Sequence, residues 1–228
     1  MAERRLGIIM NGVTGRMGGA QHLKMSIAAI RNDGGVPLRD GSRVVPDPIL
    51  VGRDAEKVSR LAAMHGIEKW TTDLDAALAD KSYEVYFDGV TTKARPGNLR
   101  KAIEAGKHIY TEKPTAEAFS EALELYRLAE ARGIKHAVVS DKLWAPGIAK
   151  LRMLKEAGFF GRILMVRIEG CYWVFEGDQQ PPKRPSGDYR KADGGGMILD
   201  MQPHYAYMLN AIGGRPLDVV CHADTLIH

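Results

Sequence analysis

Two titratable side chains lie four residues apart late in the chain, directly after a run of three glycines. The segment GGGMILDMQPHY covers residues 194–205 and contains Asp200 and His204. A spacing of four places both side chains on one face of a helix. Histidine exchanges protons readily because its pKa lies near the operating pH. We therefore predict that His204 transfers a hydroxyl proton and that Asp200 either orients His204 or binds a substrate hydroxyl.

Pro203 limits where this helix can begin. Proline has no backbone N–H and is tolerated only in the first turn of a helix. The sequence therefore predicts a helix that begins between Ile198 and Met201. The alternative to a catalytic role is that His204 is a hydrogen-bonded histidine on a short amphipathic helix.

Lys113 is the second candidate for chemistry and lies where a predicted strand ends, in HIYTEKPTAEAF. In a doubly wound sheet the carboxyl ends of the strands face the ligand crevice. Burial and a neighbouring charge can adjust a lysine pKa for proton relay or for polarising a carbonyl. We therefore expect Lys113 near a bound nicotinamide. The alternative for this segment is a strand-end salt bridge between Glu112 and a neighbour.

The turn IIMNGVTGRMGG places Gly12, Gly15 and Gly18 at G-x-x-G-x-x-G spacing between a predicted strand and a predicted helix. Glycine permits the tight turn and the close approach of a pyrophosphate, which the helix N-terminus attracts. The turn predicts a dinucleotide site. The alternative is a glycine-rich turn without a ligand.

The end of the second predicted strand reads LVGRD, with Gly52, Arg53 and Asp54. NAD enzymes usually place an acid there for the ribose hydroxyls, and an arginine accommodates the 2′-phosphate of NADP. Gly52 and Arg53 therefore favour NADP over NAD. The alternative is that Arg53 is solvated and that Asp54 reaches the ribose.

The elements that position these residues alternate between strand and helix up to residue 141. Such alternation with short links indicates an α/β fold with a doubly wound parallel sheet, the Rossmann arrangement. The predicted strands are RLGIIM, DPILVG, YEVYFDGV, KHIYTEKP and KHAVVSD. The predicted helices are RMGGAQHLKMSIAAIRN, AEKVSRLAAMHG, RPGNLRKAIEAG and AEAFSEALELYRLAEARG. The segment NDGGVPLRDGSRVVP is predicted to be a surface loop.

A domain boundary is predicted near residue 141, with a Rossmann domain over 1–141 and a substrate and oligomerisation domain of α+β type over 142–228. After the helix IAKLRMLKEAG, the segments GRILMVRIEGCYWVF and LDVVCHAD predict strands of an open, mainly antiparallel sheet. Its aromatic residues Tyr172, Trp173 and Phe175 are expected in the core because they alternate on the first of these strands. Two strands are few for such a sheet, so we expect this domain to be incomplete.

Composition excludes several classes of protein. The net charge of +4 comes from scattered lysines and arginines, which argues against nucleic-acid binding. No stretch approaches the roughly 18 apolar residues of a membrane span. With 2 cysteines a disulfide framework is not expected, which favours a reduced, cytoplasmic protein. The 7 histidines show no His-x-His or His-Glu-x-x-His spacing, so no metal site is predicted.

Three of these motifs together resemble the glucose–fructose oxidoreductase / inositol dehydrogenase / rhizopine-catabolism family of dehydrogenases. The glycine turn, the block AIEAGKHIYTEKP and the block GGGMILDMQPH occur in the order typical of that family. The chain departs from it at Val13, where many members have glycine, and within TTKARPGN, where an Asn and a His are often found. Complete members also continue through further strands.

The resemblance implies an NAD- or NADP-dependent oxidoreductase that acts on a hydroxyl carbon of a sugar, inositol or related polyol. It carries the catalytic roles onto Lys113, Asp200 and His204. It also implies a homo-oligomer for the full-length protein. The predicted cofactor-binding residues are Gly12, Thr14, Gly15, Arg16, Met17, Arg53, Thr91, Glu112 and Lys113. Candidates for lining the substrate cleft are Lys142, Trp144 and Tyr189, each with a surface or packing role as the alternative.

Two other functions are compatible with the same motifs. One is a non-catalytic protein that binds a dinucleotide in order to sense it, and loss of the lysine, aspartate and histidine set would mark such a case. The other is NAD-assisted glycoside cleavage, in which oxidation at one carbon activates elimination at another.

Overall fold

The computed structural model describes residues 2–170 and 196–224. Within them, residues 2–139 and 196–200 form one compact unit, and residues 140–170 and 201–224 form a second. No helix in these ranges is both long and apolar enough to cross a lipid bilayer.

The first unit is built on a seven-stranded sheet. Its strands are β1 (Glu3–Asn11), β2 (Val36–Pro37), β3 (Arg43–Val51), β4 (Trp70–Thr71), β5 (Val85–Asp88), β6 (His108–Thr111) and β7 (His136–Val138). They lie in the order β2-β3-β1-β5-β6-β7, and β4 also pairs with β3. All pairings are parallel except that of β2, which runs antiparallel to β3. The predicted α/β class and the doubly wound parallel sheet are confirmed.

Helices cover both faces of this sheet because successive side chains of a strand point to opposite faces. Ile9 of β1 packs in one buried cluster with Leu99 and Leu125, whereas its neighbours Ile8 and Met10 pack in another cluster. The helices of the unit are π1 (Met17–Ala28), α1 (Ala29–Asn32), α2 (Ala55–Met64), α3 (Leu74–Ala79), α4 (Arg95–Glu104) and α5 (Phe119–Ala131). From β1 the chain continues to β3 on one side of β1, and it later returns to β5 on the other side. The strand order therefore reverses between β1 and β5, and this is the topological switch point of the sheet.

Four parts of the first unit differ from the prediction. The helix after the glycine turn is of π type over Met17–Ala28 and continues as α1. The segment 32–46, predicted as a loop, contains β2 and the start of β3. β4 and α3 were not predicted, because elements of 2 and 6 residues are too short to show a periodic pattern.

The second unit contains a 3₁₀ helix (Asp141–Trp144), α6 (Pro146–Glu156) and most of α7 (Met197–Ile212). The predicted strands at 161–175 and 217–224 are wrong for the described residues, since 161–170 and 217–224 form no strand. An alternating apolar pattern identifies a face, but a strand forms only where a neighbouring strand completes its hydrogen bonds. The described part of this unit provides no such neighbour.

Helix α7 begins at Met197, one residue before the predicted range. Pro203 therefore lies inside the helix rather than in its first turn. The missing N–H removes one bond of the helix, while the Asp200 N–H still donates to the Gly196 carbonyl over 2.9 Å. Tyr172, Trp173 and Phe175, which were expected in the core, lie outside the described residues, and so does Tyr189, a predicted substrate-lining residue.

Candidate active site

The glycine turn follows β1 at the switch point of the sheet. Gly12 has φ +82°, and a Cβ at this position would lie 2.6 Å from backbone atoms of Gly89 and Val90, in the turn after β5. The Gly12 N–H donates to the Val51 carbonyl at the end of β3, over 3.2 Å. Only glycine combines this backbone conformation with this close approach. Gly12 thus holds the ends of β1, β3 and β5 together.

The outer part of the turn fits a phosphate group. Thr14, Gly15 and Arg16 are exposed, and π1 begins at the next residue, Met17. A Cβ at Gly15 would meet only the Gly12 carbonyl oxygen, at 3.4 Å, so this side of the backbone is open. N–H groups at the start of a helix have no partner within the helix and favour an anion. The residues present therefore fit the pyrophosphate of a dinucleotide.

The end of β3 lies beside the same turn. Gly52, directly after β3, lies close to Thr14, since a Cβ at Gly52 would be 3.4 Å from Thr14 Cγ2. The next residue, Arg53, is exposed and therefore lies at the rim of the turn. Asp54 caps α2 by accepting from the Lys57 N–H over 3.1 Å, and this bond lowers the pKa of its carboxyl. The structure thus gives Asp54 a structural role and leaves Arg53 at the exposed edge.

A buried polar network that the sequence reasoning missed supports the next strand end. Asp88, fully buried at the end of β5, accepts from Tyr86 Oη over 2.6 Å and from Arg95 Nε over 3.2 Å. Tyr86 Oη in turn accepts from Asn11 Nδ2 over 2.9 Å. Burial raises the pKa of Asp88, and the tyrosine and the arginine oppose this rise. The sequence feature that could have pointed to this network is Asp88 itself, an acid at the end of the apolar segment YEVYFDGV.

Arg95 connects this network to the lysine motif. Its guanidinium donates to the carbonyl of Pro114 and, over 2.7 Å, to the carbonyl of Val90. The exposed Thr91 lies in the same turn, and its carbonyl accepts from the Arg95 N–H over 3.1 Å. Arg95 therefore fixes both the loop after β5 and the Glu-Lys-Pro turn after β6.

Glu112 is buried and forms an ion pair with His22 of π1, with 2.5 Å between Oε1 and Nε2. The His22 ring also lies 4.5 Å from the Phe87 ring, centroid to centroid. Burial alone would raise the pKa of Glu112, but the His22 bond and charge, the Lys113 N–H and the Lys113 ammonium together lower it. The structure thus forms the strand-end pair that was the alternative for Glu112. His22 carried no motif and was missed.

Lys113 and Asp200 are brought together within the first unit. Lys113 Nζ donates to the Asp200 carboxylate over 2.5 Å and to the Asp200 carbonyl over 3.0 Å. The two side chains are only 14% and 19% exposed. An ammonium has three N–H donors, so these bonds use two and leave one N–H of Lys113 for another acceptor. Lys113 is thus a partner of Asp200, through a charge-assisted bond to its Oδ1 atom. The two roles predicted for Asp200, orienting His204 or binding a substrate hydroxyl, stay predictions.

His204 has other partners in the second unit. It is buried, and its Nδ1 lies 2.6 Å from Tyr207 Oη and 3.5 Å from Asp141 Oδ1. Tyr207 Oη donates to Asp141 Oδ1 over 3.1 Å and accepts from the Lys142 N–H over 3.1 Å. Burial would raise the pKa of Asp141, but the Lys142 ammonium, the Tyr207 hydroxyl and the His204 charge lower it. Asp141 and Tyr207 were missed because their spacing to His204 matches no motif.

Two of the predicted substrate-lining residues, Lys142 and Trp144, are exposed. Lys142 Nζ bonds to Asp141 Oδ2 over 2.7 Å, and Trp144 is 76% exposed beneath the Arg152 guanidinium, 5.7 Å from its ring centre. Tyr189 lies outside the described residues. The substrate roles of these residues stay a prediction.

The fold and the open glycine turn at the switch point define the first unit as a dinucleotide-binding Rossmann unit. Residues 10–140 match the family described as an oxidoreductase family with an NAD-binding Rossmann fold. Residues 148–228 match the GFO/IDH/MocA C-terminal domain. The chain belongs to the GFO/IDH/MocA family of oxidoreductases, as its motifs predicted.

Named relatives include sugar dehydrogenases. The chain is 51% identical over 221 residues to D-xylose dehydrogenase of Paenarthrobacter nicotinovorans, covering 97% of this chain and 56% of that protein. It is 26% identical to levoglucosan dehydrogenase of Pseudarthrobacter phenanthrenivorans over 73% of this chain and 42% of that protein. The chain thus spans about half the length of these relatives.

Solved structures share the fold. A levoglucosan dehydrogenase in complex with NADH and levoglucosan superimposes with a TM-score of 0.73 at 22% identity, over 92% of this chain and 54% of that chain. The WlbA dehydrogenase from Bordetella pertussis, in complex with NADH and UDP-GlcNAcA, gives a TM-score of 0.68 at 20% identity, over 94% of this chain and 59% of that chain.

Proposed function

We propose that this chain acts in an NAD(P)-dependent oxidoreductase that transfers a hydride between a nicotinamide and a hydroxyl or keto carbon of a sugar or polyol. The observation that carries the proposal is the Lys113 ammonium, held by Asp200 in a largely buried pair at the carboxyl end of β6. A bound nicotinamide would supply the hydride acceptor or donor. The sugar-dehydrogenase relatives support the substrate class.

The residues of the chain have separate roles in this proposal. Lys113 donates its remaining N–H to the substrate oxygen and polarises it, which favours the charge that develops there. Asp200 keeps the ammonium in place through two hydrogen bonds. His204 takes the hydroxyl proton during oxidation and returns it during reduction. The exposed turn at Thr14–Arg16 holds the pyrophosphate.

The test is a screen of aldoses, inositols and keto-sugars with both cofactors, beginning with D-xylose, followed by variants on the substrate that reacts. Lys113→Ala and His204→Ala should each lower turnover by about 10²–10⁴-fold, the usual cost of losing a positioned acid or base. Dinucleotide affinity should stay within a few fold of the wild-type value. Lys150→Ala, which removes an exposed lysine of α6, is the matched control and should retain full turnover.

Three outcomes separate this proposal from the alternatives. A net change in NAD(P)H during turnover supports a dehydrogenase. Turnover without a net change would indicate NAD-assisted glycoside cleavage. Dinucleotide binding without any turnover would indicate a sensor, and full activity in a Lys113→Ala, His204→Ala double variant would overturn the residue assignment.

We further propose a preference for NADP, motivated by the exposed Arg53 at the rim of the glycine turn and by Asp54, which caps α2. Fluorescence titration should show tighter binding of NADPH than of NADH. Arg53→Ala should weaken NADPH binding selectively by about 10–100-fold, because only NADPH carries the phosphate that a charge-assisted bond would hold. Arg127→Ala on α5 is the matched control. Equal or tighter binding of NADH to the wild type would overturn the preference.

A further inference from the structure

The buried guanidinium of Arg95 joins two turns at the carboxyl end of the sheet. Its Nε donates to the Asp88 carboxylate over 3.2 Å, its Nη2 to the Val90 carbonyl over 2.7 Å, and its Nη1 to the Pro114 carbonyl. The side chains of Arg95 and Asp88 are only 4% and 0% exposed. A guanidinium is planar and carries its N–H donors in a fixed fork, so it holds several acceptors in a set arrangement. Arg95 is therefore a rigid link between the turn after β5 and the turn after β6.

The turn after β5 is itself fixed against the glycine turn. The Val90 N–H donates to the Asp88 carboxylate over 3.2 Å, so Val90 is held at its N–H by Asp88 and at its carbonyl by Arg95. A Cβ on Gly12 would lie 2.6 Å from the Val90 nitrogen, which shows how closely the two turns approach. The turn after β5 thus has little room to move relative to the turn at which we propose that the pyrophosphate binds.

The third bond of Arg95 reaches the backbone beside the candidate catalytic lysine. Pro114, whose carbonyl accepts from Arg95, directly follows Lys113. On the other side of Lys113, the Glu112 N–H donates to the Asp88 carbonyl over 2.9 Å. The backbone on both sides of Lys113 is therefore bonded to the Asp88–Arg95 pair. A misplacement of about 1 Å at a reacting group can lower a rate about 100-fold, so this backbone matters for the ammonium that it carries.

Stability alone does not account for a buried cation in this place. Arg95 is the first residue of α4, where the positive end of the helix dipole disfavours a cation. Removing two charges from water costs free energy that their attraction only partly repays, so a buried ion pair is weak evidence for stability. A charged, forked side chain is instead suited to holding backbone carbonyls in one arrangement.

We infer that Arg95 is a positioning residue that fixes Lys113 relative to the glycine turn, and thereby relative to a bound nicotinamide. The inference rests on the proposed function for the role of Lys113 in hydride transfer. Arg95 acts through the backbone of Val90 and Pro114, and Asp88 supplies the opposite charge that keeps the guanidinium in place.

The first test measures the protection of Lys113 without substrate or cofactor. Reductive methylation of the full chain with formaldehyde and cyanoborohydride, followed by mass spectrometry, gives a labelling rate for each lysine. Arg95→Lys keeps a positive charge for Asp88 but lacks the fork. It should raise the labelling rate of Lys113, which is 14% exposed in the wild type, by about 10-fold through easier local opening.

Lys107 is the internal control for this measurement. It is 4% exposed and bonded to two backbone carbonyls over 2.7 and 2.8 Å, in a part of the unit that Arg95 does not contact. Its labelling rate should stay at the wild-type value in Arg95→Lys. An unchanged rate at Lys113, or an equal rise at Lys107 and Lys113, would overturn the inference, because Arg95 would then serve the fold as a whole.

Kinetics and chemical rescue provide the second test. Arg95→Lys should lower kcat by about 10–100-fold, with the dinucleotide Kd within a few fold of the wild-type value. In Arg95→Ala, added guanidinium ion should restore part of kcat, whereas the ammonium ion, which has the charge but not the fork, should not. Arg100→Ala is the matched control, because it removes a more exposed arginine of the same helix, paired with Glu124 over 2.8 Å. It should retain the wild-type kcat and the wild-type labelling of Lys113.

The outcomes separate this inference from the proposed function. Full kcat in Arg95→Lys, or equal rescue by the two ions, would overturn the positioning role. Arg95→Lys decides the question even where Arg95→Ala leaves Asp88 unpaired and does not fold. If labelling of Lys113 responds as expected but the wild type turns over no alcohol or ketone, the proposed function fails while the positioning of Lys113 by Arg95 stands.

Discussion

At the scale of single residues, the structure places most of the candidate functional side chains in pairs. Lys113 is bonded to Asp200, Glu112 to His22, and His204 to Tyr207. Each pair restricts a side chain that would otherwise sample several rotamers, so the reactive groups are held in place before substrate arrives. The stability of these pairs is therefore expected to depend on ionisation as well as on packing.

Glu112 gives a prediction about pH. Its folded-state pKa is lowered, so it contributes stability above the ordinary glutamate pKa of about 4.3 and loses that contribution as pH falls through the folded-state pKa. The difference in unfolding free energy between wild type and Glu112→Gln should therefore be largest near pH 6 and shrink toward pH 3. Urea unfolding at intervals of pH measures it. The exposed Glu117→Gln is the control, and an equal, pH-independent difference for both variants would contradict the prediction.

The sequence predicted several of these residues but not their partners. Lys113, Asp200 and His204 lie in motifs with local spacing, whereas the pairs join positions 87 and 90 residues apart for Lys113–Asp200 and His22–Glu112. Local periodicity carries no information about such contacts. This is why Asp200 was expected to orient its helical neighbour His204, whereas its bond to the ammonium of Lys113 could not be predicted.

At the scale of elements, the turn after β1 depends on Gly12. Alanine at this position combines an unfavourable positive φ with a Cβ 2.6 Å from backbone atoms of the β5 turn. Gly12→Ala should lower the unfolding free energy by at least about 1–3 kcal/mol and weaken dinucleotide binding. The matched variant is Gly97→Ala in α4, where a Cβ meets nothing within 4 Å.

The two substitutions are expected to have opposite signs. Gly97→Ala should raise the unfolding free energy by about 0.5–1 kcal/mol, because alanine restricts the unfolded chain and favours a helix. Urea denaturation and dinucleotide titration of both variants measure the effects. A Gly12→Ala protein with wild-type stability and affinity would show that the turn does not require glycine.

The order of the main strands and helices could be predicted because each long element has its own hydrophobic period. Five strands and four helices of the first unit appear where the alternation placed them, apart from their ends. The π type of π1 could not be predicted, since a change from i→i+4 to i→i+5 bonding leaves the apolar pattern nearly the same. The expected strands at 161–170 and 217–224 are wrong although their apolar pattern is clear. Strand formation also requires pairing with segments elsewhere in the chain, which a local pattern does not show.

At the scale of the whole molecule, buried side chains are unequally divided. Within residues 2–170 and 196–224, the two hydrophobic clusters lie in the first unit. Among the described residues of the second unit, His204 is the one that is buried, and Leu164, Met165 and Val220 are each at least 80% exposed. Since stability follows buried apolar area, we expect the first unit to resist unfolding more strongly than the second.

Hydrogen exchange of the full chain, with and without NAD⁺, tests this expectation together with the cofactor site. Without ligand, amides of α6 should exchange faster than those of β1, because local opening costs less where few side chains are buried. A ligand at 100 times its Kd adds about 2.7 kcal/mol to the stability of the unit that binds it. The slowest amides of β1 and β5 should therefore exchange about 100-fold more slowly with NAD⁺, whereas those of α6 should change little. Equal slowing in both units would show that they unfold as one cooperative body, and no slowing in β1 would argue against a dinucleotide site at the glycine turn.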